Sequence, residues 1–155
     1  LPSPRTIRVQ PQPFDAGHAA AALALGRTDA GALVSFVGLC RDEAGALAAL
    51  ELEHYPGMAE AELDRIAAQA ESRWPLLGLT IIHRHGKIAP GEPIVLVAAI
   101  SAHRQAAFSA CEFIMDFLKS RAPFWKKEHR ADGTQGGWVE AKDADEQALA
   151  RWESR

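Results

Sequence analysis

At 155 residues and a net charge of −3, the chain is long enough to bury a sizeable core without staples and is too acidic overall for a generic nucleic-acid binder. Its 48% hydrophobic and 24% charged content is ordinary for a globular protein, so one domain over 1–155 is expected. No apolar run reaches the length of a membrane span, the start lacks the apolar region of a signal peptide, and two cysteines make no disulfide framework; the reading is a cytoplasmic protein with no membrane association.

The first thirteen residues carry four prolines around T-I-R-V and read as a loose N-terminal segment (1–13) holding a short edge strand. Asp15 is placed to cap a helix over 15–25, which Gly26 ends. G-A-L-V-S-F-V-G-L-C at 31–40 is dominated by β-branched and aromatic residues and predicts a strand; Gly38 signals a bulge or close backbone approach. Residues 47–55 alternate, with Leu50, Leu52 and His54 on one face and Glu51, Glu53 and Tyr55 on the other. That predicts a second strand and, from the short spacing, a hairpin with the first. After the Pro56-Gly57 turn, Ala59, Leu63, Ile66, Ala67, Ala70 and Trp74 recur at helical period, predicting a helix over 58–74 that Pro75 and Gly78 stop.

Residues 79–85 read as a strand and 86–93 as a compact reversal. The almost wholly apolar 94–100 reads as a central strand covered on both faces. A long helix follows, then short strands over 124–129 and 137–141 around a glycine-containing loop. Asp143 and Glu146 form a capping-box pattern for a last helix to about Trp152. The order β-α-β-β-α-β-β-α-β-β-α predicts an α+β fold, a mixed or antiparallel sheet with packed helices.

The long helix carries the functional signal. Ala106, Ala107, Ala110, Phe113, Ile114, Phe117 and Leu118 make one buried face, and both ends are basic. Lys119 and Arg121 suit the negative end of the helix dipole, which accounts for them at about 0.3–1 kcal/mol each. His103 and Arg104 oppose the dipole and have no such reason. Pro123 ends the helix, and Phe124, Trp125, Lys126 and Lys127 follow. In an acidic chain this concentration of cations points to an anionic ligand. His103 and Lys119 lie about 24 Å apart along the axis, too far for one small ligand to touch both. If both ends serve one site, two copies of the chain must build it, so a two-fold dimer is expected.

The cations Arg41, His103, Arg104, Lys119, Lys126, Lys127 and Arg130 fit a compact phosphorylated metabolite better than nucleic acid. Arginine offers phosphate a fork, and a lysine crowded by other cations loses its proton more easily and becomes a base or nucleophile. His83-x-His85 lacks the further ligands a metal needs, so no metal is assigned. His54, on a leucine face, fits a hydrogen-bonded core histidine. Cys111 fits inert packing, and Cys40 has no accompanying base. Phosphate-loop, dinucleotide, serine-hydrolase and zinc-ribbon motifs are missing.

Five strings carry a resemblance: V-S-F-V-G-L-C-R-D, L-E-H-Y-P-G-M, I-H-R-H-G-K-I-A-P-G-E, S-A-H-R-Q-A-A-F and, most specific, F-I-M-D-F-L-K-S-R-A-P-F-W-K-K-E. From about residue 31 to 152 the chain resembles the large, catalytic subunit of molybdopterin synthase. The resemblance implies an α/β-hammerhead fold and a homodimer at the centre of a heterotetramer. The implied partner is a small ubiquitin-like sulfur-carrier subunit ending in a Gly-Gly thiocarboxylate. The implied reaction, a sulfurtransferase step of molybdenum cofactor biosynthesis, moves two sulfurs to cyclic pyranopterin monophosphate to form the molybdopterin dithiolene, without a metal or organic cofactor.

On the same basis Lys119 and Lys126 are the expected catalytic pair. The implied substrate contacts are Leu39, Cys40, Arg41, His103, Arg104, Lys119, Lys126, Lys127, Glu128 and Lys142. Leu39-Cys40 stands where the family more often has Thr-Val, and Lys142 where arginine is expected, with loss of the two-pronged contact. Phe36, Met115, Phe124 and Trp125 are candidate apolar lining for the carrier's tail. The competing reading is a non-catalytic module that binds a phosphorylated metabolite or a partner's tail.

Overall fold

The computed structural model describes residues 4–42, 45–121, 123–139 and 143–153. In chain order they form β1 (Arg5–Gln10), α1 (Ala16–Ala24), β2 (Ala32–Leu39), β3 (Leu47–His54), α2 (Met58–Arg73) and β4 (Leu76–Arg84). Then come β5 (Gly86–Ile88), β6 (Pro93–Ser101), α3 (Arg104–Ser120), β7 (Phe124–Arg130), β8 (Gln135–Val139) and α4 (Asp143–Glu153). Among the described residues the strands make two four-stranded sheets, ordered β1-β4-β6-β2 and β5-β3-β7-β8. Among the described strands, only the β1–β4 pair is parallel. The α+β class with mixed and antiparallel sheets is as expected. No helix among the described residues is long and apolar enough to cross a membrane.

The first sheet is filled on both faces because β4 and β6 are apolar on both faces. Val95, Val97 and Ala99 of β6, with Leu79 and Ile81 of β4, pack against Leu63, Ile66, Ala110, Phe113, Ile114 and Phe117 of α2 and α3 and against α4. Leu96, Ala98 and Ile82 face the other way, onto Ala20 and its neighbours in α1. Each fully buried Leu, Ile or Val contributes about 1.5–3 kcal/mol. The helical stripes of α2 and α3 are the buried ones, as their spacing predicts. The proline-flanked N-terminal strand is well formed at the sheet edge, and Arg5 ties it to α2 through Glu71 (2.6 Å) and Asp64 (2.9 Å).

The expected hairpin of 31–40 with 47–55 does not form. β2 pairs antiparallel with β6, whereas β3 pairs with β5 and β7 in the second sheet. The residue patterns explain this. β2 is apolar on both faces and suits the edge of the buried sheet. β3 alternates leucine with glutamate and suits a sheet with one face in water. The chain crosses between the sheets where the register slips at Gly38/Leu39, and a Cβ on Gly38 would lie 2.7 Å from Val95 Cγ1. The 86–93 reversal contributes its own short strand, β5. Glu146, read as half of a capping box, is engaged by Arg121 at 2.7 Å.

At the far end of the same sheet Gly31 donates its N–H to the Ser101 carbonyl (2.9 Å), and a Cβ there would run into the Ala102 carbonyl oxygen. Gly31→Ala is therefore expected to lose about 1–3 kcal/mol of stability, read as a lower urea midpoint. An unchanged midpoint would show that the backbone yields without strain.

Candidate active site

β6 defines the two ends of the molecule that matter. At its start, Pro93 and Val95 lie beside Leu39, Gly38 and His83; at its end, Ser101 lies beside Ala32 and Leu76. α3 begins just past Ser101 and runs back along the sheet, passing Val34 and Val97 at Cys111. Its last turn carries Lys119, exposed, back to the Pro93 end. β7 then starts with Phe124, opposite His54 of β3, and places Lys126 opposite the buried Leu52.

Four rings close the gap between the sheets at this end. His83 of β4 lies flat on Phe124, with centroids 3.8 Å apart and planes 9° from parallel. Phe124 stacks more loosely on His54 (6.3 Å), and His54 meets His85 at 4.1 Å. His83 Nδ1 donates to the Arg84 carbonyl at 2.8 Å, which leaves Nε2 without the proton. Burial pushes the His83 pKa down to about 4, against the pull of that hydrogen bond; the positive charges of Lys126 and Lys119, and then His54, push it the same way. Both lysines therefore act on one neutral ring, although they come from different elements. His85 is lowered too, by burial first and then by His54.

Arg41 follows β2 and lies exposed at this same end, as does Leu39, whose side chain is 57% exposed. Cys40 between them turns inward. It is 3% exposed, packs with Leu52 and Ile88, and donates its N–H to the Glu92 carbonyl while its own carbonyl accepts from Gly91. Burial raises its thiol pKa, so its side chain is neither reactive nor turned toward a ligand. Cys111 is buried as expected, its pKa raised by burial to about 12.

His103 and Arg104 are exposed at the opposite end of α3. His103 occupies the N-cap with extended backbone and makes no side-chain cap; its carbonyl accepts the Ser101 hydroxyl. Lys127 points to the other face of the second sheet, 5.1 Å above the Trp138 ring, beside Trp125, which meets Tyr55 edge-on at 5.1 Å. Glu128 is exposed on β7, and Lys142 lies outside the described residues. Among the described residues no three His, Cys, Asp or Glu side chains gather as a metal-ligand set.

The structure thus brings Lys119 and Lys126 to one ring, puts Arg41 just past the β2 end beside Pro93, and separates these from His103 and Arg104. Sequence reasoning missed the ring column. The available signal was H-x-H at the end of an apolar strand, where one of the two imidazoles has to be buried. His54, read as a core histidine, is only half-buried and is a member of that column.

Comparison with known proteins follows the same lines. The family model described as MoaE protein matches residues 9–121. The molybdopterin synthase catalytic subunit of Mesorhizobium japonicum is 72% identical over 149 residues, which is 96% of this chain and 94% of that protein. That of Rhizobium meliloti is 61% identical over 155 residues and the full length of both chains. Among solved structures, the molybdopterin biosynthesis MoaE protein of Burkholderia ambifaria superposes with a TM-score of 0.81 at 49% identity, covering 96% of this chain and 98% of that one. The chain belongs to the MoaE protein family, that of the catalytic subunits of molybdopterin synthase.

Proposed function

We propose that the chain transfers sulfur from the thiocarboxylated C-terminus of a small ubiquitin-like carrier to cyclic pyranopterin monophosphate, and that Lys119 and Lys126 work at the reaction centre. The convergence of these two lysines on His83 and Phe124 carries the reading. Sulfur leaves as the carrier's carbon–sulfur bond breaks and water supplies the oxygen that releases the carrier as a carboxylate, and negative charge on that group and on the substrate phosphate needs cations fixed in advance. Lys119, exposed on the last turn of α3, is placed to hold the carrier's terminal group and exchange its proton. Lys126 assists from β7. Leu39, Arg41 and Glu128 flank them, and Phe36, Met115 and Phe124 are apolar surface for the tail; Trp125, on the other face of β7 against Tyr55, is not part of that lining.

His103 and Arg104 complete the site from a second copy. One domain cannot bring both ends of α3 to one ligand. β2 supports the pairing: it is an edge strand of eight residues without a charge, and Leu33, Phe36 and Leu39 on it are exposed, as is Phe108 on α3. Light scattering at micromolar concentration is expected to give twice the 16.8 kDa chain mass. A monomer there would remove the shared site. In this reading Lys142 and Lys127 contribute positive charge at the margin.

The deciding experiment is turnover. Purified protein, cyclic pyranopterin monophosphate and a thiocarboxylated carrier are expected to yield molybdopterin, detected as its fluorescent oxidation product. Carrier binding without product would favour a binding module instead.

A further inference from the structure

We propose that His83 is a positioning residue for the lysine pair: its flat contact with Phe124 sets where β7 begins, and so where Lys126 stands relative to Lys119. The inference rests on the assignment of Lys119 and Lys126 given above.

Three residues, 121–123, separate the end of α3 from the start of β7. Over so short a link, the place of Phe124 decides the direction in which β7 leaves the helix. Phe124 has two anchors. One is its pairing with His54 across the β3–β7 ladder, which belongs to the second sheet. The other is His83, which belongs to the first. α3 rests on the first sheet, so the His83 contact ties the start of the Lys126 strand directly to the body that carries Lys119. Lys126 lies two residues beyond Phe124, on the same face of β7. A tilt of the Phe124 ring therefore moves Lys126 with it.

An imidazole suits this place for two reasons. Its flat ring matches the phenyl ring, and its Nδ1–H satisfies the Arg84 carbonyl at the end of β4. It is also uncharged beside two ammonium groups, so it positions them without adding a third positive charge. The contact is made by residues 83 and 124, far apart in sequence, at the point where the two sheets meet.

Two substitutions separate the ring contact from the hydrogen bond. His83→Asn keeps a donor for the Arg84 carbonyl and removes the stack. His83→Phe keeps the stack and removes the donor. With the thiocarboxylated carrier and cyclic pyranopterin monophosphate, His83→Asn is expected to lower kcat by about 10- to 100-fold while KM for both stays near wild type. His83→Phe is expected to restore most of the rate. Phe124→Leu removes the stack from the other side and should reproduce the His83→Asn loss, which covers the case of an unfolded His83 variant.

A second readout does not depend on turnover. The chain has five lysines, so 13Cε-lysine resonances are few enough to assign. The Lys119 and Lys126 signals are expected to move in His83→Asn and in Phe124→Leu, with Lys87 unmoved. Wild-type kcat, or unmoved Lys119 and Lys126 signals, in either folded variant would overturn the proposal. Absent turnover in the wild-type protein would instead count against the sulfur-transfer reading, while the lysine signals still decide whether His83 positions them.

Discussion

Lys119→Ala is expected to abolish molybdopterin formation, a loss of at least about 100-fold in kcat, while leaving the fold intact. The two halves of that expectation come from the same geometry. Lys119 is exposed on the last turn of α3, so removing it opens no cavity and orphans no buried group. Its favourable position at the negative end of the helix is worth only about 0.3–1 kcal/mol. Its charge, however, acts with that of Lys126 on the His83 ring, where the proposed reaction would receive the carrier's terminal group and an anionic substrate. The measurement is single-turnover formation of the fluorescent oxidation product, with far-ultraviolet circular dichroism and a melting curve as the control for folding. Near-normal product formation in a folded Lys119→Ala protein would refute the assignment.

Acid is expected to destabilise the protein through His83 by about 3 kcal/mol. The ring titrates near 6.5 when the chain is unfolded and near 4 when it is buried against Phe124. Between those values the unfolded chain takes up a proton that the native state refuses. The stabilisation is therefore complete above pH 6.5, declines as pH falls towards 4, and is gone below it. Burial sets the sign, opposing protonation more strongly than the Arg84 carbonyl favours it, and Lys126, Lys119 and His54 facing the ring oppose it as well. His85 adds to the same trend. Urea midpoints at pH 7.5 and 4.5 read the effect, and His83→Phe isolates it, because phenylalanine has nothing to titrate. Equal acid sensitivity in wild type and His83→Phe would show that the native ring takes up its proton as readily as the unfolded chain does.

The helices were legible because their buried faces repeat at a period that local sequence displays. Ala59, Leu63, Ile66, Ala67 and Ala70, all predicted from spacing, are buried in α2. β6 was legible for a similar reason, since only a strand covered on both faces carries so unbroken an apolar run. Strand pairing was not. β2 and β3 are close in sequence, and proximity alone argues for a hairpin; their partners β6 and β7 lie some 60 to 80 residues further on, where no local pattern reaches. The cations of the site could be read from their concentration at the ends of one helix. The direction of Cys40 could not, because the slip of register at Gly38/Leu39 decides which way a strand-end side chain points. The contact of His83 with Phe124 was hidden for the same reason as the pairing: it exists only where two sheets meet.

The long-range pairing of β3 has a consequence for synthesis on the ribosome. Leu50 bonds into a ladder with Glu128, and Leu52 with Lys126, so the second sheet waits for the last third of the chain to emerge. β1 and β2 likewise find their strand partners later in the chain, since β2 needs β6 and β1 needs β4. Contacts of such sequence separation close slowly. A nascent chain stalled before residue 124 could pair β3 with β5 but would leave the β7-facing edge of β3 open, a substrate for chaperones and for aggregation. The proposed site takes Lys126 from β7, one of the last strands to leave the tunnel, so on that reading no partly made chain would carry the chemistry of the finished one.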